Sequence, residues 1–390
     1  MIPFNPNIRA TEAPPVMEAR RWIEGKRFPD DKPLINLSQA APVAPPPEAM
    51  RDAMAEMIRT RAEVHLYGPV LGLPALRDAV AAQTSAIYRG TVAPAQVAIT
   101  AGCNEAFAAA VATLAEPGDE VLLPTPWYFN HKMWLDMSGI RAVPLATDAS
   151  LAPDADTARA LINDRTRAIA LVTPNNPGGV EYTSETLRAF RDLCRETGLA
   201  LIVDETYRDF HGVDGPPHGL FVDPTWDDTL IHLYSFSKAY RLTGHRVGAI
   251  CAAPRRLAQV EKFLDTVTIC PPQLGQYAAL WGMEHLGEWL AGERREILAR
   301  RRAMVTGLNR QHGWRCLGAG AYFAYVEHPF DIPSPDLAKL LVDKAHVLAL
   351  PGTMFRPEGD PAGAGELRFA FANSDVEGLE DLMARLKALG

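Results

Sequence analysis

Between about residue 75 and residue 251 the chain alternates short apolar runs with amphipathic stretches, and no other feature restricts the fold as much. Apolar runs occur at Val97–Thr100, Glu120–Leu123, Arg141–Pro144, Ala168–Val172, Ala200–Val203, Leu230–Tyr234 and Val247–Cys251. Amphipathic segments stand among them at Leu76–Tyr88, Asn104–Leu114, Thr157–Asn163 and Ser184–Thr197. Strands of this length separated by amphipathic helices predict an α/β fold: a mainly parallel sheet covered on both faces by helices. Ligands of such sheets bind beyond the C-terminal strand ends, so the residues just after each apolar run are the first functional candidates.

After about residue 285 the rhythm changes. A charged helix is expected over Glu284–Asn309, a strand pair near Trp314–Cys316 and Ala321–Val326, a helix at Asp336–Lys344, a strand at Glu366–Ala372 and a last helix from Asp375. At 390 residues the chain exceeds what one compact core usually serves. The expected division is a large domain over 46–285, a smaller α+β domain over 286–390, and a segment 1–45 that joins the small domain. The Pro/Ala-rich stretch Ala40–Pro47 reads as an extended connection into a helix at Glu48–Arg61.

A formal net charge of −8 and a pI near 5.7 argue against a nucleic-acid or anionic-membrane partner and favour a metabolite. No apolar run approaches the roughly 20 residues that cross a bilayer, and the polar, Pro-containing N-terminus has no signal-peptide core. The five cysteines are dispersed, without Cys-x-x-Cys or Cys/His clusters, so neither a disulfide framework nor a metal site is expected. Reduced thiols fit a cytoplasmic protein.

Five segments carry candidate chemistry. In Ser235-Phe-Ser237-Lys238-Ala-Tyr-Arg-Leu-Thr-Gly-His-Arg246, a lysine follows a strand beside hydroxyls and another cation. An amine kept from water near a positive charge has a lowered pKa and can form an imine, while Ser235, Ser237 and Arg246 can hold a phosphate. In Leu201-Ile-Val-Asp204-Glu-Thr-Tyr207 a carboxylate stands at a strand end, able to keep a pyridine nitrogen protonated, with Tyr207 one turn on. The same aspartate would equally serve as a helix N-cap. Thr173-Pro-Asn-Asn176-Pro-Gly-Gly179 is a sharp turn in which Asn176 can donate to a phenolate oxygen, or which is simply a turn. Thr100-Ala-Gly102-Cys103-Asn104 turns a strand into a helix whose free amides suit an anion, Cys103 being a small turn residue rather than a nucleophile. Pro124-Thr-Pro-Trp127-Tyr128-Phe-Asn-His131 offers rings that stack on a flat cofactor or fill the core.

In this order along the chain, the five segments resemble the class I/II aminotransferases, fold-type I enzymes that use pyridoxal 5′-phosphate; the resemblance spans about residues 35–372. It implies a two-half (ping-pong) transfer of an amino group from an amino acid to a 2-oxo acid. Lys238 would bind the cofactor as an aldimine and shuttle a proton, with Asp204 on the ring nitrogen and Asn176 and Tyr207 on the ring oxygen. Tyr128 would stack on the ring, and the Cys103 and Asn104 amides, Ser235, Ser237 and Arg246 would hold the phosphate. Tyr67, in His-Leu-Tyr67-Gly-Pro, resembles the tyrosine that reaches the neighbouring subunit's phosphate, which implies a homodimer with shared sites. Arg368, in Leu-Arg368-Phe-Ala-Phe-Ala, matches the strand arginine that takes the substrate α-carboxylate.

The pattern is not followed everywhere. Ala40 stands where a glycine contacting that carboxylate is common, and Gly178-Gly179 where the family often has Thr-Gly. Tyr128 replaces the tryptophan of the aspartate-specific branch, and no second arginine for a dicarboxylate is apparent. Gln39, Trp127 and Tyr322 are therefore expected to shape a pocket for an aromatic or neutral aliphatic donor rather than aspartate. The alternative activity is elimination or cyclisation by a lyase on the same scaffold. A nicotinamide dehydrogenase would need Gly-x-Gly-x-x-Gly between strand and helix, and the sequence has none.

Overall fold

The computed structural model describes residues 2–389. Seven strands form the central sheet: β1 (Val97–Thr100), β2 (Glu120–Thr125), β3 (Arg141–Ala146), β4 (Thr166–Val172), β5 (Ala200–Asp204), β6 (Leu230–Ser235) and β7 (Gly248–Cys251). Their spatial order is β1-β7-β6-β5-β4-β2-β3. All neighbours run parallel except β7, which is antiparallel to both β1 and β6. Every residue of β1, β2, β6 and β7 is buried, which is why these strands read as continuous apolar runs. The edge strand β3 alternates instead.

Within the buried strands the two-residue period divides side chains between two cores. Val97, Ile99, Leu201 and Val203 pack with Leu76, Val80, Leu187 and Phe190 of the helices Pro74–Tyr88 and Ser184–Thr197. Ala98, Ile202 and Ile250 pack with Phe107 and Val111 of the helix Cys103–Ala112, and with Leu257 of Pro254–Val267. Each fully buried Leu, Ile or Val contributes about 1.5–3 kcal/mol relative to exposure, so the sheet is held rigidly and its strand ends are fixed points.

A second sheet comprises β8 (Arg315–Gly320), β9 (Phe323–Glu327), β10 (Leu350–Pro351) and β11 (Glu366–Phe369), antiparallel in the order β10-β11-β9-β8. Its core includes Leu337 of the helix Ser334–Leu340, Met304 of Gly287–Leu308 and Leu382 of Val376–Lys387. The N-terminal segment reaches this part through Ile35–Asn36, which pairs in parallel with Val347–Leu348.

Several elements depart from the sequence reading. The expected helix Glu284–Asn309 is two helices, Gln273–His285 and Gly287–Leu308, because Leu286 leaves helical geometry at φ −109° and ψ 22°. The strand expected at Glu366–Ala372 stops at Phe369, and Phe371–Asn373 coils into a 3₁₀ turn. The helix placed at Thr157–Asn163 runs Ala155–Arg159, since the Asp154 carboxylate caps it by accepting from the Thr157 amide at 2.7 Å. Helices at Pro6–Ala10, Pro15–Arg21, Phe129–Met137 and Pro254–Val267 were not expected. Among the described residues no helix is long and apolar enough to cross a membrane.

Candidate active site

The C-terminal ends of β4, β5 and β6, the start of the helix Cys103–Ala112, and parts of the N-terminal segment enclose one cavity of about 590 Å³. Its walls include Ala40, Cys103, Asn104, Tyr128, Asn176, Asp204, Tyr207, Ser235, Ser237, Lys238, Arg246 and Arg368. Residues up to 330 positions apart thus meet, as in the bond from Arg368 Nη2 to the Ser38 carbonyl.

Lys238 lies not in a loop but in a single helical turn, Phe236–Ala239, whose N-cap Ser235 accepts from the Ser237 amide at 3.2 Å. Its Nζ donates to the Ala40 carbonyl at 2.6 Å and makes no ion pair with a carboxylate among the described residues. Burial, with the charges of Arg246 and Arg368, lowers its pKa to about 8. About a tenth of the amine is therefore unprotonated and nucleophilic at pH 7, far more than for an ordinary lysine.

Asp204 ends β5 on the face shared with Ile202, and Oδ2 lies 3.2 Å from His131 Nε2 while Oδ1 accepts from the Thr206 amide at 2.9 Å. Burial pushes this carboxyl up, but the His131 and Thr206 contacts outweigh it and hold the pKa below the ordinary value. The charged carboxylate is thus maintained in a buried site. His131 is itself stacked on Phe107 with ring centroids 3.7 Å apart. Glu205 projects to the opposite face, where Oε2 contacts His218 at 3.0 Å and His232 at 2.8 Å, so only one of the two adjacent acids faces the cavity.

At the phosphate-like end, Gly102 has φ +89° and precedes the free amides of Cys103 and Asn104. A Cβ on Gly102 would collide with Arg246 Nη2. Arg246 donates to neutral acceptors, Ser237 Oγ at 3.4 Å and the Thr243 carbonyl at 3.0 Å. Burial, with the Asp204 charge, pushes the Cys103 thiol well up, which fits a turn residue and not a thiolate nucleophile.

Arg368 is 1% exposed, and its guanidinium sits 5.0 Å from the Phe323 ring and 4.9 Å from that of Phe355. It donates to Asn176 Oδ1 at 2.9 Å and to the Ser38 carbonyl, while Nε has no partner among the described residues. Burial lowers its pKa to about 10. A buried cation bonded only to neutral acceptors is costly to maintain and is a ready anion site.

Tyr128 lines the cavity, and its hydroxyl accepts from Asn130 Nδ2 at 2.9 Å and donates to Asn104 Oδ1 at 3.2 Å. The Tyr207 ring packs on Phe323 at 5.2 Å. Two expected pocket residues lie elsewhere. Tyr322 turns into the small-sheet core against Phe210, and Trp127 is buried behind the site under Lys132. Gln39 does line the cavity. Tyr67 is 79% exposed and outside the cavity walls. Sequence reading missed His131, Asn130 and the N-terminal residues Pro14, Val16, Met17 and Arg20, all of which bear on the site. His131 had a signal in its place after the aromatic strand end, whereas the N-terminal four had none.

A family model described as aminotransferase class I and II matches residues 32–386. The chain belongs to that family. It is a pyridoxal-phosphate-dependent aminotransferase with the α/β fold expected. An aromatic aminotransferase of Arabidopsis thaliana is 28% identical over 364 residues, covering 90% of this chain and 89% of that protein. An aspartate aminotransferase of Streptomyces avermitilis is 29% identical over 376 residues, covering 92% and 89%. Among solved structures, N-succinyldiaminopimelate aminotransferase from Mycobacterium tuberculosis superposes with a TM-score of 0.89 at 27% identity over all of both chains. Thermus thermophilus aspartate aminotransferase with maleate also gives 0.89 over both full chains, at 23% identity, a likeness of fold.

The residues of this aminotransferase fit the cofactor. Among the described residues Arg246 has no anionic partner beside the free helix amides, Asp204 is a buried carboxylate, and Lys238 is an amine of lowered pKa in the same cavity. Gly102→Ala is expected to weaken cofactor retention about tenfold or more, since it forces an L-residue to positive φ and displaces Arg246. Titration of the apoenzyme with pyridoxal phosphate measures this; an unchanged affinity would remove Gly102 from the cradle.

Proposed function

We propose that the enzyme moves an amino group from an amino acid to a 2-oxo acid in two half-reactions at this one cavity, with Lys238 as the residue that binds the cofactor and carries the proton. The observation that carries this reading is the half-buried amine of Lys238, without an ion pair among the described residues and sharing a cavity with the Asp204 carboxylate. When bound, pyridoxal phosphate supplies an aldehyde for amine exchange and a ring that withdraws electrons from the substrate Cα.

The remaining roles follow from the contacts. Asp204, kept ionised by His131 and Thr206, holds the proton on the ring nitrogen. Asn176 uses its amide oxygen for Arg368, which leaves its N–H groups for the ring oxygen, toward which Tyr207 also donates. Tyr128, fixed through its hydroxyl, stacks on the ring. The Cys103 and Asn104 amides, Ser235, Ser237 and Arg246 bind the phosphate. Arg368 binds the substrate α-carboxylate and orients Cα toward Lys238, and Ala40 borders that position. The exposed Tyr67 supports a homodimer in which it serves the partner's site, and five free cysteines fit a cytoplasmic protein.

The test is a spectrum of the holoenzyme titrated with single amino acids in the absence of any oxo acid. A donor that converts the visible band to the pyridoxamine form, with an oxo acid restoring it, supports transfer. Release of ammonia or a thiol with the band intact would turn the reading to elimination. Arg368→Met is expected to reduce kcat/KM by about 10²–10³-fold, the loss typical of a buried charged hydrogen-bonding partner. The melting temperature should hold or rise, because a buried cation without a carboxylate is removed. Unaltered kcat/KM would take the α-carboxylate away from Arg368.

A further inference from the structure

Gln39, Ala40 and Ala41 form part of the cavity wall, and the backbone here presents two carbonyl oxygens to cations of the site. Ser38 accepts from Arg368 Nη2, and Ala40 accepts from Lys238 Nζ at 2.6 Å. Upstream, Leu37 is secured on both sides, donating to the Leu348 carbonyl at 2.8 Å and accepting from the Ala370 amide at 2.9 Å. Beyond Leu37 the bonds within the segment are local. The Ser38 amide donates to Asn36 Oδ1 at 3.1 Å, and the Ala41 amide to the Gln39 carbonyl at 3.0 Å. Asn373 supplies the outside tether. Its Nδ2 donates to the Asn36 carbonyl at 3.1 Å and to the Gln39 carbonyl, while its Oδ1 accepts from the Ala41 amide at 3.4 Å. One carboxamide thus brackets both Ser38 and Ala40. Among the described residues, the backbone of Ser38–Ala41 has no partner outside the segment except Arg368, Lys238 and Asn373. Asn373 is itself placed without that segment. It closes the 3₁₀ turn Phe371–Asn373, where its amide donates to the Ala370 carbonyl at 3.1 Å and the Ala372 carbonyl accepts from Arg300 Nη1 at 2.8 Å.

We propose that Asn373 is a positioning residue: by holding the Ser38 carbonyl in place, it keeps the Arg368 guanidinium oriented for the substrate carboxylate. The proposal rests on the transamination reading, which assigns that carboxylate to Arg368. A guanidinium fork recognises a carboxylate by direction as well as by charge. With Asn176 Oδ1 and the Ser38 carbonyl as fixed acceptors, Arg368 waits in one geometry, and less ordering is left for the binding step. Lys238 gives up the Ala40 carbonyl on joining the cofactor, so in the holoenzyme the effect of Asn373 falls on Arg368 and on binding.

The experiment measures the butyrate affinity of the holoenzyme by calorimetry, and kcat and KM for one amino donor, in wild type, Asn373→Ala and Asn373→Asp. The visible band of the bound cofactor shows that each variant is folded and loaded. Asn373→Ala should bind butyrate about tenfold more weakly, the scale of a lost hydrogen-bonded arrangement at a charged group. Asn373→Asp should bind it more weakly still, because a carboxylate of the same shape faces the Asn36 and Gln39 carbonyl oxygens without a donor. KM should rise in the same order, while kcat stays within about threefold of wild type. A side chain that only fills space would give the reverse order, with aspartate close to wild type. That order, or wild-type affinity in both variants, overturns the proposal. Arg368→Met tells the two possible failures apart. If it alone loses butyrate, only the role of Asn373 falls; if it too binds as wild type does, the carboxylate assignment falls with it.

Discussion

Lys238→Ala is expected to lower amino transfer by about 10⁴-fold or more, because one side chain both binds the cofactor and moves the proton at Cα. Borohydride should fix the cofactor irreversibly to the peptide containing Lys238 in the wild type, and leave it dialysable in the variant. Recovery of the label on another peptide, or turnover close to wild type, would refute the assignment. The link should also form faster as pH rises. Burial and the neighbouring Arg246 and Arg368 disfavour the ammonium, so the reactive amine becomes dominant above about pH 8. Cofactor uptake by the apoenzyme should climb through that value and then level off.

Asp204→Asn is expected to cost about 10²–10³-fold in the rate of the first half-reaction, the scale found when one preorganised electrostatic partner is removed. The substitution preserves shape and an acceptor for the Thr206 amide, but not the charge that keeps the ring nitrogen protonated. Because His131 and Thr206 hold the carboxyl below its ordinary pKa, the wild type should show no loss of rate from Asp204 protonation between pH 5 and 8. Stopped-flow single turnovers with one donor read both effects. A rate within about threefold of wild type would mean that the ring nitrogen does not depend on this residue.

Much of the site was legible because its residues follow buried strands. Asn176 stands after β4, Asp204 ends β5 and Lys238 follows β6, so reading strand ends also located the cavity. The same logic failed after β2. The aromatic cluster there reads as one ring-bearing strand end, but the chain turns into the helix Phe129–Met137, whose period sends His131 to Asp204 and leaves Trp127 behind. Tyr322 was misjudged because the turn at Ala321, with φ +46°, directs it into the small-sheet core. Arg20 was beyond reach for a different reason. It lies in an exposed Pro-containing segment with no strand before it, and only packing of Ala19 against residues more than 100 positions away carries it to the cavity.

The stretch Ser38–Ala40 offers Lys238, Arg368 and Arg20 oxygens without charge. These oxygens act as placeholders: they keep three cations oriented while the site waits, yet none forms an ion pair that an incoming carboxylate would have to break. Recognition then becomes an exchange of dipole for ion, in which each arriving anion gains more attraction than the departing carbonyl or amide loses.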